Sequence, residues 1–213
     1  MELITVEVGT TKLQTPSPAL ARRVLEAATG LDQVPLFDLP NITSLTPPAI
    51  GQYWQGHGGF YAGLMRGQDG QPDYHLVVTA ADLGEAKAIT WGGEGESEPG
   101  AESEWDGQAN TNALLNSGRS QPAAEYAAGL TIEEHRDFYL PSRRELRLCW
   151  VNVPEQFAKE WYWSSTQCSP DGAWCQIFDD GYQVNVLKGL ELRARAVRRV
   201  LTPSTLDHLT PRA

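Results

Sequence analysis

Alternating apolar and polar residues dominate the last third of this chain. WYWSST begins at Trp161, and AWCQIFDDGYQVNV runs from Ala173 through a turn at Asp180-Gly181. A spacing of two is typical of strands with one buried face, and Asp-Gly favours a tight hairpin. We therefore predict a strand from Trp161, a hairpin around Asp180-Gly181, and an alternating terminal strand after Lys188-Gly189.

Alternation also predicts strands in the first half of the chain. Residues 60 to 65 and 74 to 79 flank the turn sequence GQDGQP, which is typical of a hairpin. The segment AKAITWG at 86 to 92 is expected to add a third strand. Residues 2 to 8, ELITVEV, predict one more, with Ile4, Val6 and Val8 on one side.

Helical periodicity and capping residues predict short helices. Ser17-Pro18 is expected to open an amphipathic helix that ends near Gly30. Ser142 and Glu145 form a capping box for a helix that reaches towards Val153. Two further helices are predicted over 110 to 117 and 122 to 128, each followed by glycine.

The chain divides near residue 50. Residues 31 to 50 are rich in proline and lack periodicity, so they indicate an extended connector. We assign 1 to 50 to an attachment or assembly segment, because it has too little mass for a separate core. Residues 51 to 213 are assigned to the main, ligand-binding domain.

Composition and charge narrow the function classes. The chain has 213 residues, of which 41% are hydrophobic, with 20 glycines and 14 prolines. These values fit a globular protein with many turns. The formal charge of -10 argues against general affinity for nucleic-acid phosphates, which needs a basic footprint. No nucleic-acid partner is therefore expected. No secretory signal or membrane-spanning segment is recognised, so membrane insertion is not expected either.

An acidic segment and three cysteines raise the question of metals and disulfides. GGEGESEPGAESEWD at 92 to 106 holds several carboxylates, which hard cations such as calcium prefer. Its spacing matches no calcium loop, so we favour a solvated, mobile loop and predict no metal site. Cys168 and Cys175 are interpreted as reduced thiols, with a bridge between them as the alternative; Cys149 is the third cysteine.

No catalytic arrangement is recognised. His57, His75, His135 and His208 are scattered singly, and neither a nucleophile elbow nor a phosphate-binding glycine loop is present. We expect a protein that is not an enzyme, with no catalytic residues and no cofactor.

The order of three motifs resembles a known family. LPSRREL at 140 to 146, WYWSST at 161 to 166 and AWCQIFDDGYQVNV from 173 are similar to the C-terminal domain family of the collagen-like adhesin Lcl. The resemblance implies an α+β, C-type-lectin-like fold with a twisted antiparallel sheet and two to three short helices. It also implies binding as the function, and core positions for Trp163 and Trp174.

The earlier motifs GGFYAGLMRG and YHLVV extend the resemblance to proteins of tailed bacteriophages and prophages. This implies a virion-tail location, after synthesis in the host cytoplasm, and a role in recognising a host-surface glycan or receptor. Other phage tail proteins are implied partners, and a homo-oligomer, with a trimer favoured, would add avidity. Two alternatives stay open, a structural tail or baseplate component and a bacterial carbohydrate-binding adhesin.

Strand alternation selects the candidate ligand-binding residues. After Ala173, an inward Cys175 and Ile177 turn the alternate side chains outward, and Val184 and Val186 do the same on the partner strand. Aromatic rings, amides and carboxylates suit sugar recognition, although an ordinary polar sheet face would show the same pattern. The predicted contact residues are Gln176, Phe178, Asp179, Asp180, Tyr182, Gln183 and Asn185.

The terminal strand is basic. It contains Arg193, Arg195, Arg198 and Arg199. Because the resembled family also ends in an arginine-rich strand, one or two of these arginines are expected to be buried against carboxylates. The others would then be available to an anionic ligand.

Overall fold

The computed structural model describes residues 4–8, 11–15 and 46–202 of the chain. These residues form a mixed α and β architecture, mostly antiparallel sheet with a few short helices. The predicted α+β class is confirmed at this level. The helix predicted from Ser17 to Gly30, and the connector up to residue 45, lie outside the described residues.

The strands in the described residues are short. They are β1 (Ile4–Val8), β2 (Thr11–Thr15), β3 (Tyr53–Trp54), β4 (Gly59–Met65), β5 (Tyr74–Thr79), β6 (Glu85–Thr90), β7 (Trp161–Gln167), β8 (Gly172–Ile177), β9 (Gln183–Leu187), β10 (Glu191–Arg195) and β11 (Val197–Val200). The helices are α1 (Ala81–Gly84), α2 (Gly107–Leu115), α3 (Pro122–Ala128) and α4 (Arg143–Asn152), with 3-10 turns at Pro99–Ala101 and Pro154–Gln156.

The strands form three sheets. One has the order β6-β10-β7-β8-β9, another the order β11-β5-β4-β3, and β1 and β2 make a separate pair. Neighbours are antiparallel, except that β10 meets β7 in parallel at Arg193 and Tyr162. The predicted hairpins β4–β5 and β8–β9 and the strand β1 are confirmed, whereas β2 was not foreseen.

The terminal strand differs from its prediction. We expected one strand after Lys188-Gly189, but the chain bends at Ala196 and continues in the other sheet. The bend is fixed by hydrogen bonds, because Ala196 N–H donates to Gly84 O and its carbonyl accepts from Thr79 N–H. Similarly, β6 pairs with β10 and does not extend the β4–β5 hairpin.

Two cores lie on opposite faces of the β7–β8 pair. Trp163 and Cys175 point towards α2 and α3, where they pack with Leu114. Tyr162 and Phe178 belong to a second core, together with residues of α4 and of the β4–β5 hairpin. The middle of the larger sheet is therefore covered on both faces.

The terminal arginines are used inside the protein. Arg195 is buried, with Nη1 2.8 Å from Oε2 of Glu85, and Arg193 binds the other oxygen of the same carboxylate at 2.7 Å. Arg198 forms two hydrogen bonds of 3.0 Å with Asp137. The prediction that one or two arginines are buried against carboxylates is confirmed. Little of their charge is left for an anionic ligand.

A buried carboxylate holds the start of α4. Glu145 closes the predicted capping box, in which its Oε2 accepts from Ser142 N–H at 2.7 Å. Its Oε1 accepts from the hydroxyls of Tyr74 and Tyr139 at 2.6 and 2.7 Å, and Arg199 Nη2 lies 3.4 Å away. Burial raises the pKa of both tyrosines, so their hydroxyls remain protonated donors.

Glu145→Gln tests this network. The amide keeps the shape but places an N–H₂ group against donors and leaves Arg199 without part of its counter-charge. We expect the free energy of unfolding to fall by about 2 to 4 kcal/mol, as measured by urea denaturation. The exposed Glu102→Gln is the matched control, with an expected change within about 0.5 kcal/mol. Equal stability of the two variants would contradict a central role for Glu145.

Candidate ligand-binding surface

The structure divides the predicted contact residues into two groups. Asp179, Asp180, Tyr182 and Asn185 are exposed, with Tyr182 at 60% of its full accessible area, and Gln183 is half-buried. The prediction that Gln176 and Phe178 face outward is wrong, because both are buried.

These two side chains are covered by α4 and by Phe157, which follows the 3-10 turn after α4. Helix α4 packs on the sheet face that alternation assigned to solvent. Gln176 Nε2 donates to Leu146 O of the helix at 3.4 Å, and the Phe178 ring stacks on Phe157 with 3.8 Å between centroids. Strand pairing still places Gln183 opposite Gln176 and Asn185 opposite Trp174, so these four residues share one face of the β8–β9 pair. Its exposed part lies towards β9.

Trp174 belongs to this exposed part. The expected core position is confirmed for Trp163, which is fully buried, but Trp174 is only half-buried. Its ring is covered on one side by the guanidinium of Arg143, whose Cζ lies 3.6 Å from the ring centroid. Such stacking of arginine on tryptophan is favourable and fixes both side chains. Trp174 is therefore available at the surface in a defined orientation.

Arg143 is held by more than this stacking. Its Nε donates to Gln183 Oε1 at 3.0 Å, and Gln183 Nε2 donates back to Arg143 O at 2.8 Å. Nη1 binds Glu104 Oε1 at 2.8 Å. Gln176 supports the arrangement from below, since its Oε1 accepts from Gln183 Nε2 at 2.6 Å. The predicted residues Gln176 and Gln183 thus orient the surface.

Glu104 joins a second stacked pair to the first. Its Oε2 lies 3.1 Å from Arg144 Nη2, and the Arg144 guanidinium lies 5.2 Å from the ring of Trp105. We call this set the tryptophan–arginine surface. It consists of Trp174, Arg143, Glu104, Arg144 and Trp105, with Gln183 and Asn185 at its β9 edge.

Sequence reasoning missed most of this surface, although signals were present. The capping box at Ser142 places Arg143 and Arg144 in the first turn of α4, where they reach the preceding loops. Trp105 stands in an otherwise acidic and polar segment, and such an isolated aromatic residue often indicates contact with a partner. The pairing through Glu104 joins residues about 40 positions apart, and no local pattern predicts it.

The surface suits a polyhydroxylated ligand. The uncovered parts of the tryptophan ring faces offer flat apolar area, guanidinium groups donate in fixed directions, and the Asn185 amide can both donate and accept. Asn185 is exposed, and its side chain forms no hydrogen bond with the described residues. The internal bonds fix the other groups before a ligand arrives, which lowers the entropy cost of binding.

The acidic segment is organised by a lysine. The buried Lys188 Nζ donates to Glu96 O and Gln167 Oε1, each at 2.8 Å, and to Gly93 O at 3.3 Å. The expectation that the segment is solvated is wrong at Glu98, which is buried and accepts from Gln121 Nε2 at 2.9 Å. Among residues 4–8, 11–15 and 46–202, no group of three or more histidine, cysteine or acidic side chains is arranged to hold a metal ion.

The cysteines are unpaired thiols in the structure. Cys149 and Cys175 are buried, and Cys168 is exposed. Burial raises the pKa of Cys175 to about 12, so this thiol stays protonated at neutral pH.

Comparison with known protein families found no match for this chain, and comparison with curated proteins found none either. In the described part of the chain, no helix has both the length and the apolar character needed to cross a membrane.

Lys188→Met tests whether an internal ammonium group organises the acidic segment. The change leaves buried oxygens without their donor, so we expect the free energy of unfolding to fall by about 1 to 3 kcal/mol, as measured by urea denaturation. Lys159→Met is the control, because its side chain is 80% exposed and its ion pair with Asp179 contributes about 0 to 1 kcal/mol. Calcium should leave the melting temperature of the wild type unchanged. A marked rise with calcium would instead favour the calcium interpretation.

Proposed function

We propose that this protein is a receptor-binding component of a bacteriophage tail that recognises a glycan on the host surface. The tryptophan–arginine surface carries the glycan part of the proposal. It combines partly exposed aromatic groups with oriented donors and the exposed Asn185 amide, a combination that matches the alternating apolar faces and hydroxyls of a sugar. The virion-tail location and the tail partners rest on the resemblance of the motifs between residues 53 and 200.

The proposal includes a C-type-lectin-like fold. Short helices on mostly antiparallel sheets are compatible with it, and so is the position of the surface, which joins β8 and β9 to the first turn of α4 and to the segment around Glu104. In this arrangement the sheet supplies the rigid support, while the segment around Glu104 and the first turn of α4 supply the contact groups. Binding sites on such supports keep their geometry when the loop sequence changes.

Assembly through residues 1 to 50 completes the proposal. A shallow surface binds a single sugar weakly, and several copies on one tail would convert weak contacts into stable adsorption. We therefore favour a homo-oligomer, with a trimer as the simplest case.

A structural role in the tail is a second candidate, and one observation favours it. An apolar groove of about 570 Å³ lies beside the end of α4, lined by Trp150, Val151, Phe157 and Phe178. Val151 is 60% exposed and lies in the same groove as these aromatic side chains, and an apolar patch of this kind is typical of a protein-contact site. A protein contact there would be compatible with glycan binding elsewhere.

Substitutions on the surface test the proposed function. We expect Asn185→Ala and Trp174→Ala to weaken binding to an immobilised array of bacterial surface glycans by about tenfold, which corresponds to about 1.4 kcal/mol. Asn112→Ala, which removes an exposed asparagine from α2, is the matched control and should bind like the wild type. Since the Asn185 side chain forms no hydrogen bond with the part of the chain that the structure describes, its variant should also keep the wild-type melting temperature.

Two results would contradict the proposal in different ways. If the full chain binds no glycan on the array, the glycan-binding function is wrong and the structural role is favoured. If the chain binds but both variants retain wild-type affinity, the function stands and the contact surface lies elsewhere.

A further inference from the structure

A separate pocket opens beside Trp105. It has a volume of about 300 Å³ and lies between the turn that joins β4 to β5 and the start of α2. This volume is at the lower end of the range for small-molecule sites, so the pocket fits a ligand of about one ring. None of its lining residues was among the seven predicted contact residues.

The inner wall of the pocket is fixed by the Glu145 network. Tyr74 is buried beneath it, and the Arg199 guanidinium stacks 4.2 Å from the Tyr74 ring centroid. Arg199 Nη2 binds Asp106 Oδ1 at 2.6 Å, and Nε donates to the hydroxyl of Tyr139 at 3.1 Å. Nη1 makes no hydrogen bond within the described residues, so it remains a donor for a ligand.

The aromatic wall is Trp105, which retains 37% of its accessible area. Its backbone and that of Asp106 are held by Ser103 Oγ, which accepts from their N–H groups at 3.2 and 2.9 Å. Trp105 therefore lies at the boundary of the pocket and of the tryptophan–arginine surface. A chain of sugars that contacts this surface can place its terminal ring in the pocket.

The β4–β5 turn places two glutamine side chains, those of Gln68 and Gln71, in the wall of the pocket. Gly67 N–H donates to Asp73 Oδ1, and Gln71 N–H donates to Gln68 O, each at 2.9 Å. These bonds fix the backbone of the turn. In contrast, the side chains of Gln68 and Gln71 line the pocket and form no hydrogen bond with the described residues.

Charge decides between a neutral and an anionic ligand. The pocket has two arginines, Arg66 and Arg199, which are matched by two carboxylates, Asp69 and Asp106. A carboxylate or phosphate on the ligand would gain from the arginines but would be repelled by both aspartates. Hydroxyl groups can use both kinds of side chain, since they donate to carboxylates and accept from guanidinium groups.

We propose that this pocket binds one neutral sugar ring, the terminal unit of the glycan that the protein recognises. The apolar face of the ring packs on Trp105, and its hydroxyls bind Gln68, Gln71, Asp106 and Nη1 of Arg199. This inference rests on the proposed function, because it assigns the terminal subsite of the same ligand.

The test uses the full chain and defined sugars. The probes are the methyl glycosides of glucose, galactose, mannose, rhamnose and N-acetylglucosamine, with methyl glucuronide as the anionic counterpart of the glucoside. Binding is followed by the NMR signals of the tryptophan indole N–H groups. We expect a neutral sugar to shift the Trp105 signal saturably, and methyl glucuronide to bind more weakly than methyl glucoside.

Variants assign the binding to the pocket. Gln71→Ala and Trp105→Ala should weaken it by about five- to tenfold, Trp105→Phe should restore part of the loss, and Gln52→Ala, an exposed glutamine outside the pocket, should have no effect. For Trp105→Ala, the signals of the sugar itself report binding. The inference is overturned if no neutral sugar shifts Trp105, if Gln71→Ala binds like the wild type, or if the glucuronide binds most tightly.

Array binding separates failure of this inference from failure of the proposed function. If Asn185→Ala loses array binding while Gln71→Ala and Trp105→Ala retain it, the function stands and the pocket assignment is wrong. If simple sugars shift Trp105 and Gln71→Ala weakens them, but the array shows no binding, the pocket is a sugar site, whereas the glycan-receptor function and the role of the pocket as its terminal subsite are both wrong.

Discussion

The carboxylate of Glu145 lies where the elements that shape the tryptophan–arginine surface meet. It accepts hydrogen bonds from Tyr74 on β5, from Tyr139 in the loop before α4, and from the N-cap of α4 itself. An ionised carboxylate in the interior is tolerated only when its oxygens are fully bonded. These donors must therefore be in place together, and this requirement couples the β11-β5-β4-β3 sheet to α4.

Two arginines, Arg143 and Arg199, connect the Glu145 network to the tryptophan–arginine surface. Arg143 follows the N-cap directly, so the position of the first turn determines where its guanidinium meets Trp174 and Gln183. On the other side, Arg199 contacts both Glu145 and Asp106, and Asp106 caps α2 with its side chain. Trp105 precedes this cap. The buried network thus sets the spacing of the two tryptophans without touching a ligand.

Sequence patterns predicted the features that depend on neighbouring residues. The Ser142 capping box, the helix at Pro122–Ala128 and both hairpins appear at or near their predicted positions, because caps and turns are determined locally. The partner of β6 was not predictable in this way. Its pairing with β10 depends on the bend at Ala196, which is produced by backbone bonds to residues over 100 positions earlier.

At the candidate site, too, local patterns predicted less than tertiary packing determines. Alternation correctly grouped Gln176, Gln183 and Asn185 on one face, since the period of a strand is a property of the backbone. It could not show that α4 covers the Gln176 end of that face, because coverage depends on tertiary packing. Periodicity distinguishes the two faces of a strand but does not show which of them is exposed to solvent.

An acidic protein can still expose arginines on one surface if each guanidinium is paired with a carboxylate. Glu104 neutralises part of the charge of Arg143 and Arg144, and Asp106 does the same for Arg199. The pairing prevents strong attraction to any polyanion, yet it leaves N–H groups that point outward in fixed directions. Such a surface discriminates by hydrogen-bond geometry more than by net charge. For neutral sugars, which differ in the orientation of single hydroxyls, geometry is the property that must be recognised.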